Sequence, residues 1–194
     1  ELAGVSVDLP AGGFFARGRL PIVIGVSLSV ARGQSVALVG ESGSGKTTLA
    51  RAVMGLQPVA AGSIAFEGRA VSGRPGLARL RRNAALMFQD AAASLSPRLT
   101  VGDLVTEPFR IHGQPLPDPR AAARDLLGMV GLGAAMASRY PHELSGGQAR
   151  RVGVARALAL KPRLVIADEP TAGLDVSVQA EVLNLMTDLR QAMG

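Results

Sequence analysis

Gly40-Glu41-Ser42-Gly43-Ser44-Gly45-Lys46-Thr47 has the spacing G-x-x-x-x-G-K-T, and that spacing has a physical cause. A nucleoside triphosphate is strongly anionic, so a loop that holds it must offer many donors at close range. Glycines at 40, 43 and 45 let the backbone turn tightly with its N–H groups facing inward. The pattern predicts that Gly40 to Thr48 binds nucleotide, that Lys46 reaches the β- and γ-phosphates, and that the Thr47 hydroxyl binds Mg2+. Further along, Leu164-Val165-Ile166-Ala167-Asp168-Glu169 is four apolar residues followed by two acids. Asp168 is expected to hold Mg2+ through water, because hard cations take oxygen ligands and Mg2+ keeps several waters. Glu169 is expected to orient and polarise an attacking water, by positioning more than by basicity. An acidic pair at a strand end is otherwise an ordinary solvated turn; the glycine loop upstream points it toward triphosphate hydrolysis.

These residues need elements to position them. Ser35-Val36-Ala37-Leu38-Val39 reads as a buried strand entering the loop. Thr48 to Met54 reads as a helix leaving it, ended by Gly55, with partial positive charge at its N-terminus. Val5–Leu9, Val23–Val30 and Ser63–Phe66 are strand candidates, with Ala61-Gly62 as a turn. Val101–Ile111 and Arg120–Val130 show helical patterning, separated by Gly113-Gln114-Pro115-Leu116-Pro117. Gln148–Leu160 reads as a helix that stops before Lys161-Pro162. A last helix is expected from Val176, with Val182, Leu183, Leu185, Met186 and Leu189 on an apolar face. No internal repeat is present.

At 194 residues, with 47% hydrophobic and 19% charged residues, the chain can bury one substantial core. No apolar stretch approaches the roughly 20 residues that span a bilayer. Neither Glu1 nor the interrupted Leu20–Val30 segment looks like a signal peptide. The absence of cysteine excludes disulfides, thiolate zinc sites and thiol catalysis, and fits a cytosolic location. A net charge of +6 raises nucleic-acid binding, but aromatics are only 3% of residues and offer no stacking platform. Arg79-Leu80-Arg81-Arg82 is expected to be a solvated helix face. No nucleic-acid partner is expected. His112 and His142 read as ordinary surface or packing residues.

The order glycine loop, Gln89, Leu144-Ser145-Gly146-Gly147-Gln148, Asp168-Glu169 and Ala172-Gly173-Leu174-Asp175 resembles the ATP-binding cassette (ABC) family across nearly the whole chain. Met87-Phe88-Gln89-Asp90 into Ala93–Arg98, Arg139-Tyr140-Pro141-His142-Glu143 before the signature, and Leu174-Asp175-Val176-Ser177-Val178-Gln179 after the acids are similar to the ATPase subunits of dipeptide and oligopeptide importers, whose relatives also import nickel. The resemblance implies an α/β P-loop core with an antiparallel β edge and an all-helical insertion. It places the nucleotide-binding core at 1–89 and 145–194 and the helical subdomain at 90–144. It implies ATP and Mg2+ as ligands, with Gln89 touching the metal or the attacking water. Ser145, Gly146, Gly147 and Gln148 would act in trans, Ser145 and Gly147 on the γ-phosphate held by a second ATPase domain, fused or separate. Asp175 would sit at the dimer seam. Two integral membrane permease subunits and an extracytoplasmic solute-binding protein would complete the assembly, with this chain peripheral on the cytoplasmic face of the membrane.

Departures from the family pattern carry their own expectations. The signature continues Ala149-Arg150-Arg151 where the family has a basic residue and then Gln-Arg. Ala172-Gly173 replaces the usual Ser-Ala of the seam loop. Leu9 falls where an aromatic stacks on adenine, unless Phe14 or Phe15 substitutes. The family's switch histidine would lie past Gly194, so the chain reads as a C-terminally incomplete single ATPase domain with an unpaired sheet edge. Two other readings stand beside a peptide importer. One is a soluble ABC ATPase of DNA repair, chromosome structure or translation, disfavoured by the lack of heptads and cysteines between Lys46 and Ser145. The other is a non-hydrolysing regulatory module, disfavoured by Glu169. The solute is open: peptide, nickel, a sugar or another small molecule.

Overall fold

A computed structural model describes residues 1–11, 18–87, 93–170, 179, 180, 184–188 and 191. Two compact units emerge, Glu1–Arg81 and Arg82–Gly194.

The first unit is built on an antiparallel sheet in the order β2-β1-β3-β4. Its strands are β1 (Leu2–Pro10), β2 (Arg19–Leu28), β3 (Ala61–Phe66) and β4 (Arg69–Ala70). Alternation in β1 sends Val5 and Val7 inward, where both are fully buried. Helix α1 (Lys46–Val53) covers this face with Leu49 and Ala52, and Leu2, Val23 and Ile64 complete the core. The β1–β2 ladder shifts register near Val5. Gly4 (φ 58°) and Gly25 (φ 61°) take left-handed conformations there. Their N–H groups donate instead to the hydroxyls of Ser27 and Ser6, each at 2.9 Å. Glu67 and Gly68, at φ 52° and 71°, form the two-residue turn between β3 and β4.

Helix α2 (Gly73–Asn83) follows. The expectation of a solvated Arg79–Arg82 face is corrected in part. Arg79 donates to the carbonyls of Arg69 and Ala70, Leu80 is buried, and Arg81 donates to the carbonyls of Met54 and Gly55 at the end of α1. Helix C-termini leave carbonyls without intrahelical donors, and a nearby guanidinium meets that need.

The expectation of a buried strand at Ser35–Val39 is overturned. The run has no regular secondary structure, and Val36, Leu38 and Val39 are 40%, 49% and 94% exposed. Apolar composition supplies strand propensity only; a strand also needs a partner ladder. Ala61-Gly62, expected as a turn, opens β3 instead, because their neighbours pair with β1: Ala61 lies opposite Ser6 and Ser63 opposite Ala3.

In the second unit β5 (Ala84–Met87) and β6 (Leu164–Ala167) form a parallel pair. Helices α3 (Val101–Ile111), α4 (Pro119–Met129) and α5 (Gly146–Leu158) pack around Leu104, Val105, Leu127, Val130, Val152 and Val154. The α3 boundaries match the expected ones because Thr100 and Asp103 form a reciprocal capping box. Asp118 caps α4 through the Ala121 N–H at 2.9 Å, with Pro119 in its first turn. Residues 179, 180, 184–188 and 191 are helical, where the last helix is expected.

Candidate functional site

The glycine loop lies in the first unit. Gly40 to Ser44 are exposed, and Gly45 to Thr48 are half-buried. Gly45 caps α1 in a left-handed conformation (φ 91°, ψ 5°), and its carbonyl accepts from Leu49 N at 2.8 Å. The helix therefore starts at Lys46 and holds Lys46, Thr47 and Thr48 in its first turn. Each glycine has a different reason to be there. Gly43 needs its φ of 81°, with open space around it. A Cβ on Gly45 would stand 3.0 Å from the Ile22 carbonyl of β2, so this glycine seats the loop against the sheet. A Cβ on Gly40 would lie 2.9 Å from Ser44 Oγ across the turn. The Lys46 ammonium folds back over the loop, donating to the carbonyls of Gly40 (2.8 Å) and Glu41 (2.7 Å) and to Ser44 Oγ (3.3 Å). The cation is thus held against the loop by two backbone carbonyls and a hydroxyl, groups that a phosphate oxygen can displace.

The Ser145–Gln148 segment lies in the second unit and opens α5. Ser145 is its N-cap. Ser145 Oγ accepts from Gln148 N at 3.3 Å, and Gln148 Oε1 accepts from Ser145 N at 3.0 Å. A Cβ on Gly146 would meet nothing within 4 Å. Ser145 and Gly146 are exposed, so the start of α5 is open to solvent. The sequence places this helix at Gln148–Leu160; the capping box moves it two residues earlier.

Asp168 and Glu169 end β6. The ladder pairs Met87 with Ala167, and Asp168 N donates to the Met87 carbonyl at 3.0 Å. Parallel pairing thus sets the end of β5 at Met87 beside Asp168. Glu169 has φ 49°, and Pro170 follows it. Gln89, Asp175, the Ala172-Gly173 pair, Phe14 and Phe15 lie outside the described residues. Leu9 is half-buried in β1, opposite Leu20.

Two links were not legible in the sequence. Arg156 of α5 donates to Glu107 Oε2 at 2.7 Å and to the Ser94 carbonyl at 3.1 Å, tying α5 to α3 and to the segment after Gln89. Arg150 is 8% exposed and donates to the Pro170 carbonyl. Buried side chains of α5 include Ala149, Arg150, Val152, Val154 and Ala155, which surround the helix rather than form one stripe, so periodicity does not single out a buried arginine.

Comparison with known proteins bears on the family and the fold. The ABC transporter family matches residues 23–172. The oligopeptide transport ATP-binding protein OppF of Streptococcus mutans is 46% identical over 173 residues, covering 87% of this chain and 56% of that protein. OppF of Salmonella typhimurium is 43% identical over 179 residues, covering 90% of this chain and 54% of its own length. The chain therefore spans about half the length of these relatives. Among solved structures, the dimeric post-hydrolysis state of the ATP-binding cassette MJ0796 bound to ADP and Pi superposes with a TM-score of 0.85 at 28% identity, covering all of this chain and 83% of that one. CbiO1 from Clostridium perfringens, part of an ABC transporter complex, gives a TM-score of 0.79 at 26% identity, covering all of this chain and 76% of that one. The fold is the α/β fold of ABC ATPase cassettes, and by its sequence match over most of its length the chain belongs to the ABC transporter family.

Proposed function

We propose that the chain is the ATP-binding and hydrolysing part of an ABC importer for dipeptides or oligopeptides. The observation that carries the catalytic reading is Lys46 in the first turn of α1 with its ammonium drawn over the glycine loop. Membership of the family, and relatives named for oligopeptide transport, support the solute class.

In this reading Gly40 to Thr48 cradle the phosphates, and Lys46 exchanges the carbonyls of Gly40 and Glu41 for β- and γ-phosphate oxygens. The groups that would hold Mg2+ are hard oxygens, the Thr47 hydroxyl, the Asp168 carboxylate and the Gln89 side chain. That set suits a cation that keeps several waters. Bound there, Mg2+ supplies neutralisation of charge on the phosphate oxygens. Glu169 orients the attacking water. Ser145, Gly146, Gly147 and Gln148 of a second ATPase domain contact the γ-phosphate in trans, the open N-terminus of α5 being suited to an anion. Asp175 lies at the dimer seam. Residues 1–89 and 145–194 act as the nucleotide-binding core, and 90–144 docks as a helical subdomain on two permease subunits served by a solute-binding protein. Among the described residues no helix is long and apolar enough to cross a membrane, and the reading places the chain peripherally on the cytoplasmic face.

Glu169→Gln tests it. In the full-length polypeptide the substitution is expected to keep ATP binding, slow single-turnover cleavage about 10²–10⁴-fold to a residual but measurable rate, and accumulate the ATP-bound dimer on size exclusion. Cleavage at the wild-type rate would remove Glu169 from the chemistry.

A further inference from the structure

Glu169 holds a backbone conformation that its sequence disfavours. L-residues rarely adopt positive φ, and a residue preceding proline is pushed toward extended conformations with negative φ. Three non-glycine residues have positive φ among those described. Glu67 is part of the β3–β4 turn. Lys161 closes α5, its N–H on the Leu158 carbonyl at 2.9 Å. Glu169 belongs to neither kind of element. It follows directly on β6, and Pro170 directly follows it. Such a conformation persists when the surroundings over-determine it.

Two hydrogen bonds bracket the residue. Upstream, Asp168 N donates to the Met87 carbonyl of β5 at 3.0 Å, which fixes the end of the strand. Downstream, the Arg150 guanidinium donates to the Pro170 carbonyl. Arg150 is the charged side chain buried among the described residues, at 8% exposure. Burying a guanidinium costs free energy unless its donors are used, and one of its acceptors is the carbonyl one residue beyond Glu169. The rigid planar fork of arginine suits it to hold a carbonyl in one place. The side chain leaves α5 in its second turn, while Ser145 caps the same helix. One rigid element thus carries both the exposed N-cap and the clamp on the Glu169 turn.

We propose that Arg150 is a positioning residue for Glu169: by holding the Pro170 carbonyl it keeps the Glu169 backbone left-handed and aims the carboxylate at the water that attacks the γ-phosphate. The proposal rests on the hydrolytic role of Glu169 given above. It also assigns a function to the arginine in Ala149-Arg150-Arg151, where the family pattern has glutamine.

A double-mutant cycle on the full-length polypeptide tests it, read by single-turnover ATP cleavage with ADP affinity measured alongside. Arg150→Met is expected to slow cleavage about ten- to a hundredfold, the scale on which misplacement of a reacting group acts. ADP affinity stays within about twofold, since the effect lies in the chemical step. Added to Glu169→Gln, Arg150→Met causes no further loss, because a residue that acts only through Glu169 then has nothing left to position. Arg150→Lys, with one donor group and no fork, falls between. Wild-type cleavage by Arg150→Met overturns the proposal, and so does an equal loss with and without Glu169→Gln. Should Arg150→Met fail to fold, Arg150→Lys decides in the same cycle. A loss confined to the background that retains Glu169 supports the proposal; equal losses, or none, overturn it. Wild-type cleavage by Glu169→Gln alone would sink the role of Glu169 and this proposal with it. That result is read before Arg150 is touched, so the two failures are distinguishable.

Discussion

Gly45→Ala measures how firmly the glycine loop is seated on β2. The native conformation, φ 91° and ψ 5°, is left-handed, and an L-residue there costs about 1–2 kcal/mol. The new Cβ would also stand 3.0 Å from the Ile22 carbonyl oxygen and 3.2 Å from Val23 Cγ2. That oxygen cannot easily yield: Ile22 sits in β2 between Pro21 and Val23, which lie opposite Asp8 and Val7 of β1. Forcing a methyl into such a contact adds about 1–3 kcal/mol. Gly43→Ala is the control. Its φ of 81° carries similar conformational strain, yet its Cβ would meet nothing within 4 Å. Both substitutions restrict the unfolded chain alike, by about 0.4–1 kcal/mol, so that effect cancels in the comparison. Equilibrium urea unfolding of the full-length polypeptide without nucleotide, which keeps ligand linkage out of the result, should find Gly45→Ala less stable than Gly43→Ala by about 1–3 kcal/mol. Equal destabilisation within about 0.5 kcal/mol would refute the claim that Gly45 is glycine because the sheet lies against it.

Ser145→Arg should abolish hydrolysis at the partner's site and leave its own Lys46 site intact, so mixed dimers with Ser145→Arg on one member and Lys46→Ala on the other should keep hydrolysis at one site. Loss of binding in cis would count against action in trans. The same substitution removes the α5 N-cap and should cost about 1 kcal/mol in unfolding experiments. Gly62→Ala should be far more damaging, because its Cβ would fall 2.3 Å from the Gly4 carbonyl oxygen and 2.4 Å from its carbon. A loss above about 4 kcal/mol is expected, seen as failure of cooperative unfolding; a variant of near-normal stability would contradict the close approach of β3 to β1.

Local chemistry made much of the molecule readable in advance. The capping pair Thr100–Asp103 acts within three residues of sequence, and the start of α3 lies where it is expected; the pair Ser145–Gln148 is as local, yet it starts α5 two residues before the expected Gln148. Four consecutive apolar residues announced β6. The partners of a strand are not local: Ser35–Val39 has the composition of a buried strand and is exposed, while Ala84–Met87, for which no strand is expected, pairs with β6. The arginine cluster at 79–82 was misread for the same reason, since the carbonyls that Arg81 meets belong to residues 54 and 55.

For the site, sequence alone determined the inventory: a glycine loop ending in Lys46 and Thr47, the Leu144–Gln148 run, and two acids after an apolar run. Spacing suffices because phosphate binding and capping are short-range tasks whose geometry is set within a few residues. Only the tertiary structure decided how those parts are held. It seated Gly45 against Ile22, drew Asp168 to Met87 through a parallel ladder, and bound Arg150 to the carbonyl beyond Glu169. Each of these is a contact between residues far apart in the chain, and no pattern of residue types fixes which distant backbone group a side chain will meet.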